Sequence, residues 1–175
     1  MTRNELKVWD RFAFMYDFII KKDKNAYKEI VNQIDQLIKA ENKVLEIATG
    51  TGIIAIGLSG SVKTMEAVDF SSEMIDIAKK KAQNLGVSNI NFSVQDATCL
   101  VYEAESFDYV IISNSLHIMP EPQKVLTEIK RVLNKGGKLI APTFIFKYST
   151  FAHGKCAVSL EKSVVLGNKK VQEYL

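Results

Sequence analysis

Residues 44–52 read Val44-Leu45-Glu46-Ile47-Ala48-Thr49-Gly50-Thr51-Gly52, and this stretch decides the fold. A short apolar run enters a turn of small residues, and an apolar helical segment, 53–58, follows. Small residues there let the backbone approach a ligand closely, and open α/β sheets bind ligands at the carboxyl ends of their strands, where this turn lies. The segment is not the dinucleotide fingerprint G-x-G-x-x-G: Ala48 occupies the first glycine position, and Ile54 and Ala55 leave the third unmatched. What it offers instead is Glu46 at the strand end. Beside a pyrophosphate, like charges would meet; beside a ligand carrying an ammonium and a sulfonium, the charges are complementary.

Working outward, strand and helix alternate. Residues 43–47 form the first strand and 64–69 the second. Ser71 caps a helix whose Met74, Ile75, Ala78, Ala82 and Leu85 make one stripe, and Gly86 stops it. Strands follow at 90–94 and 109–112, the latter apolar throughout, as a strand buried on both faces should be. Pro120 and Pro122 flank the start of a helix over 122–134, Gly136-Gly137 ends it, and 138–146 is a fifth strand. Upstream, Tyr27, Ile30, Val31, Ile34, Leu37 and Ile38 predict a helix over 24–40 capped by Asp23. Residues 4–20 carry large apolar side chains in one or two short helices. This order predicts an α/β protein: a Rossmann-like, doubly wound, mostly parallel sheet with helices on both faces. It divides into an N-terminal helical cap (1–40), a Rossmann-like core (41–146) and an atypical C-terminal tail (147–175), within one domain overall. The fifth strand is too apolar to stand at an open edge. Its expected cover is a tail hairpin, 163–166 with 169–174 about Gly167-Asn168, or a second copy of the chain as a homodimer through the C-terminal region.

Bulk properties narrow the function classes. The chain has 175 residues, 47% hydrophobic and 25% charged, which suits a single globular core. The formal charge of +3 resides in the tail, where Lys147, Lys155, Lys162, Lys169 and Lys170 face only Glu161 and Glu173. A neutral body argues against nucleic acid as a partner. No apolar run approaches the ~18 residues of a membrane span, and the N-terminus lacks a signal-peptide h-region. Cys99 and Cys156 are far apart with no metal-ligand spacing, and read as reduced thiols of a cytoplasmic protein with no metal site.

With these residues in place, 44–52 resembles the first motif of class I S-adenosylmethionine-dependent methyltransferases, in particular the methyltransferase-11 group that includes ubiquinone/menaquinone-biosynthesis enzymes. Further motifs occur in order: Asp69-Phe70-Ser71 with Met74, Gln95-Asp96-Ala97, Phe107 through Asn114, Leu116 and His117, and 133–139. The resemblance implies S-adenosyl-L-methionine as cofactor, with S-adenosyl-L-homocysteine as product. It implies a methionine end at Glu46, Ala48, Gly50 and Gly52, ribose hydroxyls on Asp69, and Asn114 among the cofactor-binding residues. It further implies an adenine lined by Phe70 and Met74, with its amine on Asp96 and a ring nitrogen at the Ala97 backbone. Phe14, Tyr16 and Asp17 resemble the aromatic and Tyr-Asp segment that folds over the cofactor in this group. The tail departs from the pattern: the family continues with a helix and an antiparallel pair, and the C-terminal region here is short.

Each residue also has a plainer reading. Glu46 alone is an exposed strand-end acid, Asp69 a helix cap, Asp96 a turn former and Met74 a core residue. His117 is the candidate imidazole for proton transfer or else a packed histidine, and Tyr16 is a gate or cap before it is a base. The reaction implied is methyl transfer to a small, partly hydrophobic acceptor. The rivals are a nicotinamide-dependent dehydrogenase and a non-catalytic cofactor-binding remnant or dimeric interaction module.

Overall fold

The computed structural model describes residue 10 and residues 13–18, 24–146 and 158–167; residues 143–146 and 158–167 are described by their backbone. The helical stretch 13–18 (α1) precedes α2 (Lys24–Asp35), β1 (Val44–Ile47) and α3 (Ile53–Gly57). These are followed by β2 (Met65–Asp69), α4 (Ser72–Asn84), β3 (Ile90–Val94) and β4 (Phe107–Ile112). A 3-10 turn (Leu116–Ile118), α5 (Pro122–Val132), β5 (Leu133–Phe146) and β6 (Val158–Gly167) complete the order.

The six strands form one sheet in the order β3-β2-β1-β4-β5-β6. The first five are parallel; β6 runs antiparallel to β5, pairing Leu139 with Leu166 and Ala141 with Val164. The order reverses between β1 and β4, which opens a crevice above their carboxyl ends. Strand alternation builds a core on each face. Val44, Met65, Ala67 and Ile111 pack with Ile30 and Ile34 of α2, Ala55 of α3, and Ile75 and Ala78 of α4. Leu45, Ile47, Val68, Val110 and Ile112 pack with Val125, Ile129 and Val132 of α5. Both layers are apolar and closed, so β1 and β4 lie in the dry middle of the molecule.

Local chemistry explains most element ends. Ser71 accepts a hydrogen bond from the Met74 N–H at 3.2 Å, so α4 starts where a cap can satisfy it. Gly86, at φ +69, ends it. Three expectations shift. The apolar spacing of α2 continues to Ile38, but the helix stops at Asp35 and leaves in a tight turn, Leu37 N–H bonding Ile34 C=O at 2.9 Å. The helix expected over 122–134 ends at Val132, because Leu133 already pairs with Phe107 as the first residue of β5. Gly136-Gly137 therefore lies within an irregularity of β5, not at a helix end. The hairpin's first arm, expected at 163–166, lies within a longer strand of ten residues that reaches Gly167. The second arm, 169–174, lies outside the described residues, as does the expected cap Asp23. Among the described residues no helix is long and apolar enough to cross a membrane, and no cluster of potential metal ligands occurs.

Candidate functional site

The turn after β1 is built on left-handed backbone. Ala48 and Gly50 both have φ +55 and Gly52 has φ +76. Gly50 needs its freedom for this conformation; a Cβ there would make only an ordinary contact, 3.9 Å from the ring of Tyr16. Asp69 at the end of β2 fixes the turn. Its Oδ2 accepts from Gly50 N–H at 2.8 Å and its Oδ1 from Ser71 N–H at 3.0 Å. One carboxylate thus binds the first two strand ends together and remains in the crevice wall. Burial raises its pKa, against the lowering effect of those backbone donors.

A cleft of about 850 Å³, counting its open mouth, lies above these strand ends. Ala48 and Gly50 form its floor, with Asp69, Phe70 and Met74 along one side and Asp96, Ala97 and Thr98 beyond them. Tyr16 reaches in from α1, and Asn114 from the end of β4. Met74 lines the cleft and is otherwise buried. Asp96 is likewise both turn former and lining: its Oδ1 accepts from the N–H and the hydroxyl of Thr98 at 2.8 and 2.7 Å, and those bonds hold its pKa low. Asn114 keeps φ +52, its N–H bonded to Pro142 C=O at 2.9 Å.

Four expected contacts fall elsewhere. Glu46 is only 2% exposed and lies off the cleft wall. Alternation along β1 puts it on the face of Val44, beneath the turn, where Oε2 accepts from Thr49 Oγ1 at 2.6 Å and Ala55 N–H at 3.1 Å. It caps α3, whose own N-cap Gly52 has no side chain to do so. Desolvation pushes its pKa up to about 8. Gly52 is also off the wall; a Cβ there would meet Ala78 and Phe92 at 3.0 Å, so it lets α4 and β3 close on the turn. His117 is exposed on the 3-10 turn and does not line the cleft, whereas its neighbour Ile118 does. Phe14 is exposed and does not fold over the cleft.

Sequence reading missed the far wall, Ser115, Ile118, Met119, Pro120, Glu121 and Val125, which the loop after β4 and the start of α5 bring opposite the turn. The signal was the apolar run around Pro120, which reads as ordinary helix-start packing. It also missed two ties from the N-terminal segment. Asp17 accepts from Thr51 Oγ1 at 2.6 Å and pairs with Lys81 at 3.0 Å, and Asp10 accepts from Ser71 Oγ at 2.6 Å.

The fold and this crevice define a Rossmann-like small-molecule-binding domain. Residues 38–174 match the family model described as "Methyltransferase domain". The chain is 30% identical over 95% of its length to the demethylmenaquinone methyltransferase of Shouchella clausii, covering 74% of that protein. It is 31% identical over 76% of its length to that of Oceanobacillus iheyensis, covering 57% of it. The solved YcgJ protein of Bacillus subtilis superimposes with a TM-score of 0.63 at 28% identity, over 66% of this chain and 50% of that one. The chain therefore belongs to the methyltransferase-domain family, among the class I proteins whose cofactor is S-adenosylmethionine. It spans from about half to three quarters of the length of these relatives.

The residues present fit that cofactor. The turn leaves a side-chain-free floor at Gly50, Asp69 and Asp96 offer acceptors to hydroxyls and an amine, and Phe70 and Met74 offer apolar area to a ring.

Proposed function

We propose that the cleft holds S-adenosylmethionine with its methionine end at Ala48, Gly50 and Asn114, its ribose at Asp69 and its adenine among Phe70, Met74, Asp96 and Ala97, and that the chain methylates a small hydrophobic acceptor. The observation that carries this reading is the convergence of those side chains, from four strand ends, on one cleft. When bound, the cofactor supplies an electrophilic sulfonium methyl group that passes to a nucleophile by displacement, leaving S-adenosylhomocysteine. Glu46 and Gly52 serve the site from beneath by holding the turn. The apolar far wall of Ile118, Met119 and Val125 faces the acceptor and excludes water. Tyr16 is a gate: burial raises its pKa, so it stays a phenol at neutral pH and does not act as a base. His117, exposed and off the wall, has no part in proton transfer on this reading. Alignment alone can supply ~7–11 kcal/mol, so no strong base is required.

The names of the relatives, demethylmenaquinone methyltransferase and ubiquinone/menaquinone biosynthesis C-methyltransferase, favour a quinone-type ring as acceptor. Segment 1–40 acts as a cap through Asp10, Tyr16 and Asp17, 41–146 as the cofactor-binding core, and 147–175 as the tail that supplies β6. A second copy has a place at β6, the edge strand of the described sheet. A cytoplasmic location accords with the exposed thiol of Cys99. The test is methyl transfer from labelled S-adenosylmethionine to a panel of demethylated quinols and polar small molecules. Product with a quinol supports the reading. Binding of S-adenosylhomocysteine without transfer to any acceptor would instead favour the non-catalytic module.

A further inference from the structure

Residues 95–106 run from β3 to β4 with no helix or strand of their own. Asp96, Ala97 and Thr98, near the start of this loop, line the cleft. A loop that shapes a binding site needs anchors in place of a backbone ladder, and side chains supply them here. At its start, Gln95 N–H donates to Asp69 C=O at 2.9 Å, while Gln95 Oε1 accepts from Val101 N–H at 3.2 Å. The Gln95 amide also donates to the Tyr102 hydroxyl at 3.1 Å, so one side chain ties residue 95 to residues 101 and 102.

The second anchor comes from α5. Arg131 donates from one terminal nitrogen to Tyr102 C=O at 2.7 Å and from the other to Leu100 C=O at 3.0 Å. Its Nε and that second terminal nitrogen also donate to Glu128, one helical turn back, at 2.8 and 2.7 Å. Glu128 in turn accepts from Leu100 N–H at 2.9 Å. A planar fork can bond along two edges at once, which a lysine ammonium cannot reproduce. Burial of the Leu100 side chain in the core already keeps the loop from leaving. The fork adds direction, because it fixes the backbone carbonyls that follow Thr98. Val125, three residues before Glu128 on the same helix, lines the far wall of the cleft. Thus α5 carries part of one wall and grips the loop that carries the other.

We propose that Arg131, together with Glu128, is a positioning residue for the base end of the cofactor, setting where Asp96 and Ala97 stand across the cleft from α5. This rests on the functional reading above, which puts the adenine at those two residues. Asp96 meets the ligand on that reading, and Arg131 acts through the loop.

The test is calorimetric titration of the full chain with S-adenosylhomocysteine and with S-inosylhomocysteine, whose base has a carbonyl in place of the exocyclic amine. The unmutated chain should prefer S-adenosylhomocysteine by about tenfold or more, since the inosine base offers Asp96 no amine. Arg131→Lys keeps the charge but loses the fork, and should cut that preference several-fold. Asp96→Asn should abolish it, and adding Arg131→Lys to Asp96→Asn should then change it little, because the two act through one contact. Asp69→Ala should cost the same factor of affinity with or without Arg131→Lys, since Gly50 and Ser71 hold that carboxylate from another side. Glu128→Gln is the milder second variant if Arg131→Lys folds poorly; it should lower the preference in the same direction by a smaller factor. A preference unchanged in both variants, or an Asp69→Ala factor that shrinks along with it, makes the cluster a general stabiliser and overturns the positioning. Binding of S-adenosylhomocysteine with no base preference keeps the cofactor but overturns the Asp96 contact and the positioning with it. No affinity of the unmutated chain for S-adenosylhomocysteine overturns the functional reading itself, and the base end falls with it.

Discussion

Asp69 does two jobs with one carboxylate, and its mutation should separate them. Asp69→Ala removes a charge-assisted acceptor for the ribose, so S-adenosylhomocysteine affinity should fall roughly ten- to hundredfold, about 1.5–3 kcal/mol. The bonds to Gly50 and Ser71 go with it, and a lower melting temperature should accompany the loss. Unchanged affinity by calorimetry would remove Asp69 from the ribose. Ala48 makes the opposite case. It holds a left-handed φ of +55 that L residues adopt at a cost of about 1 kcal/mol, so Ala48→Gly should stabilise the protein by roughly 0.5–1 kcal/mol in denaturant unfolding. Glu46 gives a pH prediction. Its folded pKa of about 8 lies above the ordinary 4.5, so the folded state keeps a proton that the unfolded chain releases. Its contribution therefore favours folding most below about 4.5 and declines as pH rises towards 8. Glu46→Gln should flatten that decline in urea midpoints, and an identical slope in both proteins would refute it. The place of Asp69 and Asp96 on the cleft was legible because one ends and the other closely follows a strand at a parallel sheet's carboxyl edge. Glu46 was misplaced because a strand-end acid lies on one of two faces, and only the packed sheet shows which. His117 was misplaced because a short turn after β4 rotates it outward while its neighbour Ile118 lines the cleft.

Among the elements, β1 to β4 were readable to within two residues because each is a short apolar run bounded by polar or glycine turns, whereas β5, expected over 138–146, already begins at Leu133. The ends of α2 and α5 were not readable. Their apolar spacing outlasts the helix, since Ile38 and Leu133 stay buried after the backbone has left it. Periodicity reports burial, and here burial continues through a turn and into a strand. The ties of the cap were also hidden, because Asp17, Thr51 and Lys81 are distant in sequence and meet only once α4 packs beneath the turn. That pairing is part-exposed, so Asp17→Ala should cost only about 0.5–1 kcal/mol of stability. Its larger effect should be kinetic. Releasing α1 from Thr51 frees Tyr16 from the cleft, and S-adenosylhomocysteine should dissociate several-fold faster in stopped flow. An off-rate equal to that of the unmutated chain would mean that the Asp17 tie does not hold the cap closed over the ligand.

At the scale of the whole molecule, the requirement that β5 be covered was legible from its apolar sequence, and β6 meets it within the same chain. The length of the cover was not legible: β6 begins at Val158, ahead of the expected arm at 163–166, and the second arm expected at 169–174 lies outside the described residues. Deleting residues 155–175 removes β6 and leaves β5 open, so the truncated protein should aggregate or lose folded signal on heating. A soluble truncation with an unchanged melting temperature would show that β6 does not hold the sheet. The sheet exists, in functional terms, to bring four strand ends under one ligand, and that is the claim to test first. Isothermal titration of the purified chain with S-adenosylhomocysteine, and separately with NAD, addresses it directly. One molecule of S-adenosylhomocysteine should bind per chain, more weakly in Asp69→Ala, and NAD should give no heat. Saturable binding of NAD with none of S-adenosylhomocysteine would contradict the account.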